Sequence, residues 1–319
     1  MAKDFKQYDH MRDAFVDAVM DLAEKDEKVV MLDADLSVCV NSGCFQNKYP
    51  ERFFNVGISE ADMVGVAAGL SSTGLIPFAH TFACFASRRA FDQFFLSANY
   101  AKQNVKLVGS DPGITSQMNG GTHMPFEDFG LMKMVPGLVV FEPSDSVSCY
   151  KLTQKAAEHK GSTYMRLRRK GTTVLYSDDQ EFELGKGNVL VDGNDITIIA
   201  AGMVMVTAAL DAAKQLKTEG ISAAVIDMHT IKPLDENLVL KYAEKTNAIV
   251  TCEDAQRANG LGSSVSDYLS ENRPTLVRRM GINDEFGEVG TLDYLQKRFK
   301  LTAEDVVRTV KETLAQKNK

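Results

Sequence analysis

Short runs rich in β-branched and apolar residues alternate with amphipathic stretches along this chain. Strand-like runs fall at 29–32, 53–58, 76–78, 105–109, 138–141 and 164–167, and helical spacing at 85–103 and 146–159. That βαβ rhythm predicts a mainly parallel sheet with helices on both faces. A polar segment at 170–187, containing Ser177, Asp178, Asp179 and Gln180, breaks the rhythm and reads as a linker between domains. Alternation then resumes, with strands expected at 195–201, 223–228, 248–252 and 275–278 and helices at 206–219 and 236–246. The expected fold class is α/β, with two doubly wound, mainly parallel domains: a larger one over 1–175 and a smaller one over 188–319. No short-period repeat, low-complexity tract or heptad pattern is present.

Composition narrows the function. A chain of 319 residues, 44% hydrophobic and 25% charged, is that of an ordinary two-domain globular protein. Its net charge of -7 speaks against nucleic-acid binding, which needs a basic surface to neutralise phosphates. The short basic run Arg166, Arg168, Arg169, Lys170 is a local exception. Five cysteines, an odd number without CxxC spacing, argue against a disulfide framework or zinc site and fit a reducing cytoplasm, with Cys84 and Cys149 read as core. The polar start MAKDFKQYDH predicts no signal peptide. The longest apolar run, 196–210, carries Gly202 and falls short of a membrane span. A soluble cytoplasmic protein is expected.

One carboxylate is placed unusually. In NVGISEADMVGVAAGL, 55–70, Glu60 stands where a strand gives way to a helix. Ser59 is a candidate N-cap, Asp62 could complete a capping box, and an acidic residue in the first turn suits the helix dipole. The residues that follow, Met63, Val64, Val66, Ala67, Ala68 and Leu70, are almost wholly apolar, and Gly65 and Gly69 would allow close packing. The helix and its start are therefore expected to be buried, and a buried carboxylate needs a partner. Downstream, Gly120-Gly121-Thr122-His123 puts an imidazole in a glycine-flexible loop after a strand, a usual place for functional groups in α/β folds. Phe82 and Phe85, three apart, could share a helical face, with core packing as the default reading.

Taken in order and spacing, these motifs resemble the C-terminal half of transketolase over essentially the whole chain. The motifs are Asp33-Ala34-Asp35-Leu36, NVGISE, PFAHTF, GGTH, Glu142-Pro143-Ser144-Asp145, VIDMHTIKPLDE and Gly260-Leu261-Gly262-Ser263. The resemblance implies a pyrimidine-binding domain followed by a transketolase C-terminal domain, and transfer of a two-carbon ketol unit from a ketose to an aldose with thiamine diphosphate. It makes Glu60 the carboxylate that activates the cofactor through its pyrimidine nitrogen, and Phe82 and Phe85 the aromatics that stack on that ring. Asp35 and Leu36 would lie against the cofactor, although Asp35 reads equally as a strand-end helix cap. His123 becomes a proton-transfer and hydroxyl-binding group, since imidazole exchanges protons near neutral pH. Arg12 and Arg168 match phosphate-binding arginines, with Arg166 or Arg169 replacing Arg168 if the register shifts. No GDG followed by a downstream Asn is present to hold Mg2+ and the diphosphate; Val191-Asp192-Gly193-Asn194 reads as a turn. The magnesium ligands and diphosphate site are thus expected from an N-terminal partner subunit, in a dimer of heterodimers.

Three positions depart from the family pattern. Asp111 replaces a histidine twelve residues before His123, Asn119 an aspartate four before it, and His80 a serine. An aspartate in a phosphate pocket repels a dianion unless a nearby cation neutralises it. The expected substrate is therefore a sugar with an altered donor or acceptor, such as a sulfonated or branched one, touching Arg12, His80, Asp111, Asn119, His123 and Arg168. The competing readings are a deoxyxylulose-phosphate synthase, which Arg89-Ala90-Phe91-Asp92-Gln93 hints at, a 2-oxoacid dehydrogenase β subunit, and a non-catalytic chain of the same fold.

Overall fold

The structure is a computed structural model and describes Phe5 and residues 8–317. Its first sheet contains β1 (Val29–Asp33), β2 (Phe53–Asn55), β3 (Ile76–Phe82), β4 (Lys106–Ser110), β5 (Val139–Phe141) and β6 (Thr163–Leu167). In the second domain follow β7 (Asn188–Val191), β8 (Ile196–Ala200), β9 (Ala223–Asp227), β10 (Thr230–Lys232), β11 (Ala248–Gln256) and β12 (Leu276–Ile282). The first sheet runs β2-β1-β3-β4-β6-β5-β10 and the second β12-β11-β8-β9-β7. Pairings are parallel except at two edges, where β10 runs antiparallel to β5 and β7 antiparallel to β9. These are the two mainly parallel sheets that the rhythm predicted. β3 reaches Phe82, beyond the expected 76–78, because its polar residues His80 and Thr81 are fully buried and leave no apolar signal.

The edge strand β10 comes from the second part of the chain yet completes the first sheet, so the two bodies share a ladder. A buried arginine reinforces the joint. Arg166 donates from Nε to Asp128 (2.8 Å), from Nη1 to Glu142 (2.6 Å) and from Nη2 to the Asp254 carbonyl (2.9 Å), and lies over the Phe129 ring. Burial raises the carboxyls of Asp128 and Glu142, and the guanidinium opposes that rise. The polar segment 170–187 is pinned rather than loose. Tyr176 and Phe182 are buried, and Asp145 accepts the backbone N–H groups of Leu175 and Tyr176, each at 3.0 Å. Cys84 and Cys149 are buried as expected, and no helix among the described residues is long and apolar enough to cross a membrane.

The helix Glu60–Ser72 differs from its reading in two ways. Ser59 makes no side-chain cap bond, and Gly65 and Gly69 face open space instead of packing closely. Met63, Val64, Ala67 and Ala68 form the buried face, Val66 and Leu70 are half-buried, and Asp62, Gly65 and Gly69 are exposed. A run of apolar residues whose exposed positions are glycines cannot be told from a fully buried one by pattern alone.

Candidate active site

Strand order in the first sheet reverses around β1 and β3, and in open α/β sheets the crevice beyond the carboxyl ends at such a reversal is where ligands bind. Asp33 ends β1, fully buried, with Oδ2 at 3.1 Å from His80 Nδ1; His80 Nε2 lies 3.0 Å from Ser110 Oγ. The second Asp33 oxygen accepts the Leu36 N–H. All three side chains of this Ser–His–Asp array have no solvent exposure, so it cross-links β1, β3 and β4 beneath the crevice. His80 therefore lies under the crevice floor, away from its surface. Asp35 turns the chain in the left-handed region (φ 62), which aspartate tolerates, and Asn55 holds it: the Asp35 N–H donates to Asn55 Oδ1 at 3.1 Å. Leu36 follows, half-buried, at the head of a short helix.

Glu60 opens the next helix after a turn through Gly57 (φ 75), and its side chain is 1% exposed. Arg89 Nη1 donates to Glu60 Oε2 at 2.8 Å, and its guanidinium lies 4.1 Å from the Phe85 ring centroid. Phe82 ends β3 and Phe85 begins the next helical segment, which carries π-type turns at Phe85–Arg89 and Phe94–Tyr100, distortions frequent at functional sites. Their centroids are 6.1 Å apart, and the His123 ring stands edge-on to both, at 5.2 Å from Phe85 and 6.0 Å from Phe82. Glu60, Phe82, Phe85 and His123, drawn from distant parts of the sequence, thus form one cluster with Arg89.

His123 is held through Thr122. Its Nδ1 lies 2.9 Å from Thr122 Oγ1, and the Thr122 carbonyl accepts from Arg88 Nη2 at 2.7 Å. Gly120 takes φ 77, ψ -175, a conformation essentially reserved for glycine, so the loop needs that residue there. The second domain presses on its neighbour: a Cβ at Gly121 would lie 2.2 Å from the Gly287 carbonyl oxygen.

Asp111, also left-handed (φ 53) and almost fully buried, is held by Arg169, with Nη2 at 2.7 Å and Nε at 3.0 Å from Oδ2. The Arg169 guanidinium lies 5.6 Å from the Phe82 ring. Arg12 donates to the Cys39 carbonyl at 2.7 Å, and Asn119 is exposed in the loop before Gly120. Arg168 does not join this cluster. It donates to the Lys170 carbonyl and lines a cavity with Met203, Thr207 and Asp293 of the second domain. Arg169 is the member of the basic run that reaches the crevice, and Arg166 is consumed in the domain joint.

The donor set fits the aminopyrimidine end of thiamine diphosphate: a buried carboxylate for a ring nitrogen, two aromatic faces, and an imidazole at the edge. Among the described residues no group of three His, Cys, Asp or Glu could hold a metal ion. Two contributors, Arg89 and Asn55, escaped sequence reasoning as site residues, and Arg169 entered it only as an alternative to Arg168. Arg89 stands four residues after Phe85, a helical spacing that could have flagged it. Arg169 lies past the end of β6, where alternation no longer assigns a face. Asn55 gave no signal beyond its place at a strand end.

Residues 9–173 match the family described as the transketolase pyrimidine-binding domain, and residues 185–306 the transketolase C-terminal domain. A 6-deoxy-6-sulfo-D-fructose transketolase subunit of Clostridium sp. (strain MSTE9) is 47% identical over 97% of this chain and 95% of its own length. One of the subunits of the apulose-4-phosphate transketolase of Phocaeicola vulgatus is 36% identical, over 94% of this chain and 96% of its own. A solved structure titled split gene transketolase, inactive beta4 tetramer, superposes with a TM-score of 0.88 at 43% identity, covering 96% of this chain and 98% of that one.

Proposed function

Because this chain belongs to the transketolase family, we propose that it is the C-terminal subunit of a two-chain transketolase, working in the cytoplasm with an N-terminal partner that holds Mg2+ and the diphosphate of thiamine diphosphate, as a dimer of heterodimers. Its near-complete overlap with subunits of split enzymes supports the two-chain reading. The domain limits 1–175 and 188–319 go with it, supported by the two sheets. The single observation that carries the catalytic assignment is the cluster of Glu60, Phe82, Phe85 and His123 at the strand-order reversal.

When bound, the cofactor supplies the carbon nucleophile that carries the two-carbon unit. Glu60 meets the pyrimidine nitrogen with a carboxylate that Arg89 orients through Oε2. Phe85 and Phe82 offer faces for the ring, with Asp35 and Leu36 against the cofactor at the end of β1. His123, oriented by Thr122, exchanges protons with the substrate hydroxyls, and Asn119 and Arg12 contact the sugar beyond it.

The substrate end group is proposed to be a monoanion, with sulfonate the leading candidate. Each guanidinium around the crevice already faces a carboxylate: Arg12–Asp13 at 3.7 Å, Arg88–Glu127 at 3.2 Å, Arg89–Glu60 at 2.8 Å and Arg169–Asp111 at 2.7 Å. Such a balanced field favours a singly charged sulfonate over a phosphate dianion. That the Clostridium relative is a 6-deoxy-6-sulfo-D-fructose transketolase subunit supports this reading.

The test is ketol transfer by this chain co-purified with a candidate N-terminal partner, thiamine diphosphate and magnesium. Activity should require both chains, release no carbon dioxide, and fall by about 10²–10⁴ in Glu60→Ala, the range for loss of a proton-transfer group. Wild-type activity in that variant would overturn the assignment of Glu60. Decarboxylation of an oxoacid would favour the synthase or dehydrogenase reading.

A further inference from the structure

The second domain carries a concentration of positive charge that the proposed reaction does not use. Beyond the carboxyl ends of β11 and β12, a cleft of about 350 Å³ is lined by Arg257, Arg279, Arg298, Lys300 and Arg308, with Glu285 as the lining carboxylate. It adjoins a cavity of about 580 Å³ that shares Arg257, Arg279 and Asn283, adds the apolar side chains Leu131, Met134 and Ile282, and has two carboxylates in its lining, Asp284 and Glu127, the latter paired with Arg88. In a chain of net charge -7, such clustering runs against the average surface.

Two of these cations are neutralised within the fold. Arg298 pairs with Glu285 (2.8 Å) and Glu288 (3.2 Å), and Arg308 with Asp305 (2.5 Å). The other three have no carboxylate within ion-pair distance among the described residues. Arg279 donates to Ser263 Oγ at 3.1 Å and to the Arg257 carbonyl at 3.4 Å, which aims its guanidinium while leaving its charge uncompensated. Three like charges around one cleft repel one another unless an anion is present. The carboxyl edge of a parallel sheet is where α/β domains bind ligands. At β8 that edge is covered by the first domain: a Cβ on Gly202, just past β8, would meet the Glu142 carboxylate at 2.2 Å. At β11 the first domain covers Asp254, so the open part of the edge begins past Gln256 and continues at β12.

We infer that this cleft binds a phosphate monoester, with the dianion held by Arg257, Arg279 and Lys300 and the organic body directed toward Leu131 and Met134. The fork of two guanidiniums matches tetrahedral oxyanions, and the adjoining apolar wall distinguishes an ester from the bare ion. From the cleft, the chain at 283–290 runs to Gly287, which abuts Gly121 beside His123, so an occupied cleft bears on the loop that positions the imidazole.

Isothermal titration of the full chain with glycerol 2-phosphate tests this, with inorganic phosphate run in parallel. Saturable binding is expected, stronger for the ester, and weakened at least about tenfold in both Arg257→Ala and Arg279→Ala. Lys300→Ala should weaken it as well, which guards against misfolding of either arginine variant, and Arg12→Ala and Arg169→Ala should leave it unchanged. Binding that fails to saturate, or that survives loss of Arg257 and Arg279, overturns the inference. So does binding lost in Arg12→Ala or Arg169→Ala, which would place the anion in the sugar crevice. Loss of co-purification with the partner chain in Arg257→Ala would show the cleft to be a protein contact and likewise overturn it.

Discussion

Asp111→Asn is the perturbation that bears most directly on substrate choice. Asparagine tolerates the left-handed backbone at this position (φ 53) about as well as aspartate, so the change removes charge without straining the turn. It frees Arg169, now held at 2.7 Å, and adds one positive charge at the crevice. For a substrate anion at about 6 Å and an effective dielectric of about 20, one unit of charge interacts by roughly 2.8 kcal/mol. Both side chains of the pair are largely buried, at 11% and 5% exposure, but the crevice is open to water, so about 1–2 kcal/mol is a fairer expectation. A dianion feels the added charge twice as strongly as a monoanion. The ratio of kcat/KM for a phosphate-ended ketose over a sulfonate-ended one should therefore rise roughly 5- to 30-fold. The assay is steady-state ketol transfer by the assembled two-chain enzyme with each donor and a common acceptor. An unchanged ratio, or one that moves toward the sulfonate, would refute the claim that the Asp111–Arg169 pair sets the charge of the site.

Three further outcomes follow from the fold. Arg166→Met strips the buried carboxylates of Asp128 and Glu142 of their partner and should cost about 3–5 kcal/mol of stability in denaturant titration, whereas a loss under about 1 kcal/mol would mean that the domain joint does not depend on it. Gly121→Ala would bring a Cβ to 2.2 Å from the Gly287 carbonyl, and the resulting shift of the His123 loop should lower kcat/KM by about tenfold or more while chain stability changes by only about 1–3 kcal/mol. Burial pushes the Asp227 carboxyl up to about 7, so the folded chain binds its proton more tightly than the unfolded one: its contribution is full below about pH 4 and lost as pH rises through 7, worth at most about 4 kcal/mol at ~1.4 kcal/mol per unit. In Asp227→Asn that fall in stability between about pH 4 and 7 should flatten, as read from unfolding midpoints across pH.

What the sequence revealed and what it hid divide along physical lines. Alternation located both sheets because most of their inner strands are buried along their whole length, and the helix Glu236–Thr246, which Asp235 caps, was read with its ends correct. β10 was missed: three residues reading Thr-Ile-Lys carry no periodicity, and their partner strand lies about ninety residues earlier in the chain. The buried residues His80 and Thr81 cut the predicted β3 short, because polarity signals a turn until its partners are known. The basic run posed a related difficulty. Spacing names the arginines but not their targets, and only the end of β6 decides that Arg166 turns to the domain joint, Arg168 to the second domain and Arg169 to the crevice.

The same geometry ties the second domain to the proposed site although it contributes no residue to the Glu60 cluster. Its strand β10 closes the first sheet, its Asp254 carbonyl takes one arm of Arg166, and its Gly287 sits against the loop that carries His123. Gly113, with φ 52, lies so close to Asp254 that a Cβ would fall 2.4 Å from the carboxyl, and the Ile114 N–H donates to that carboxylate at 3.0 Å. The segment running from Asp111 to His123 is therefore anchored at one end by Arg169 and along its length by the second domain. A catalytic imidazole must be held to within a fraction of an ångström to be useful. On the proposed role of His123 that precision would come from contacts across the domain joint, so changes in the second domain should register first in kcat/KM and only later in the stability of the chain.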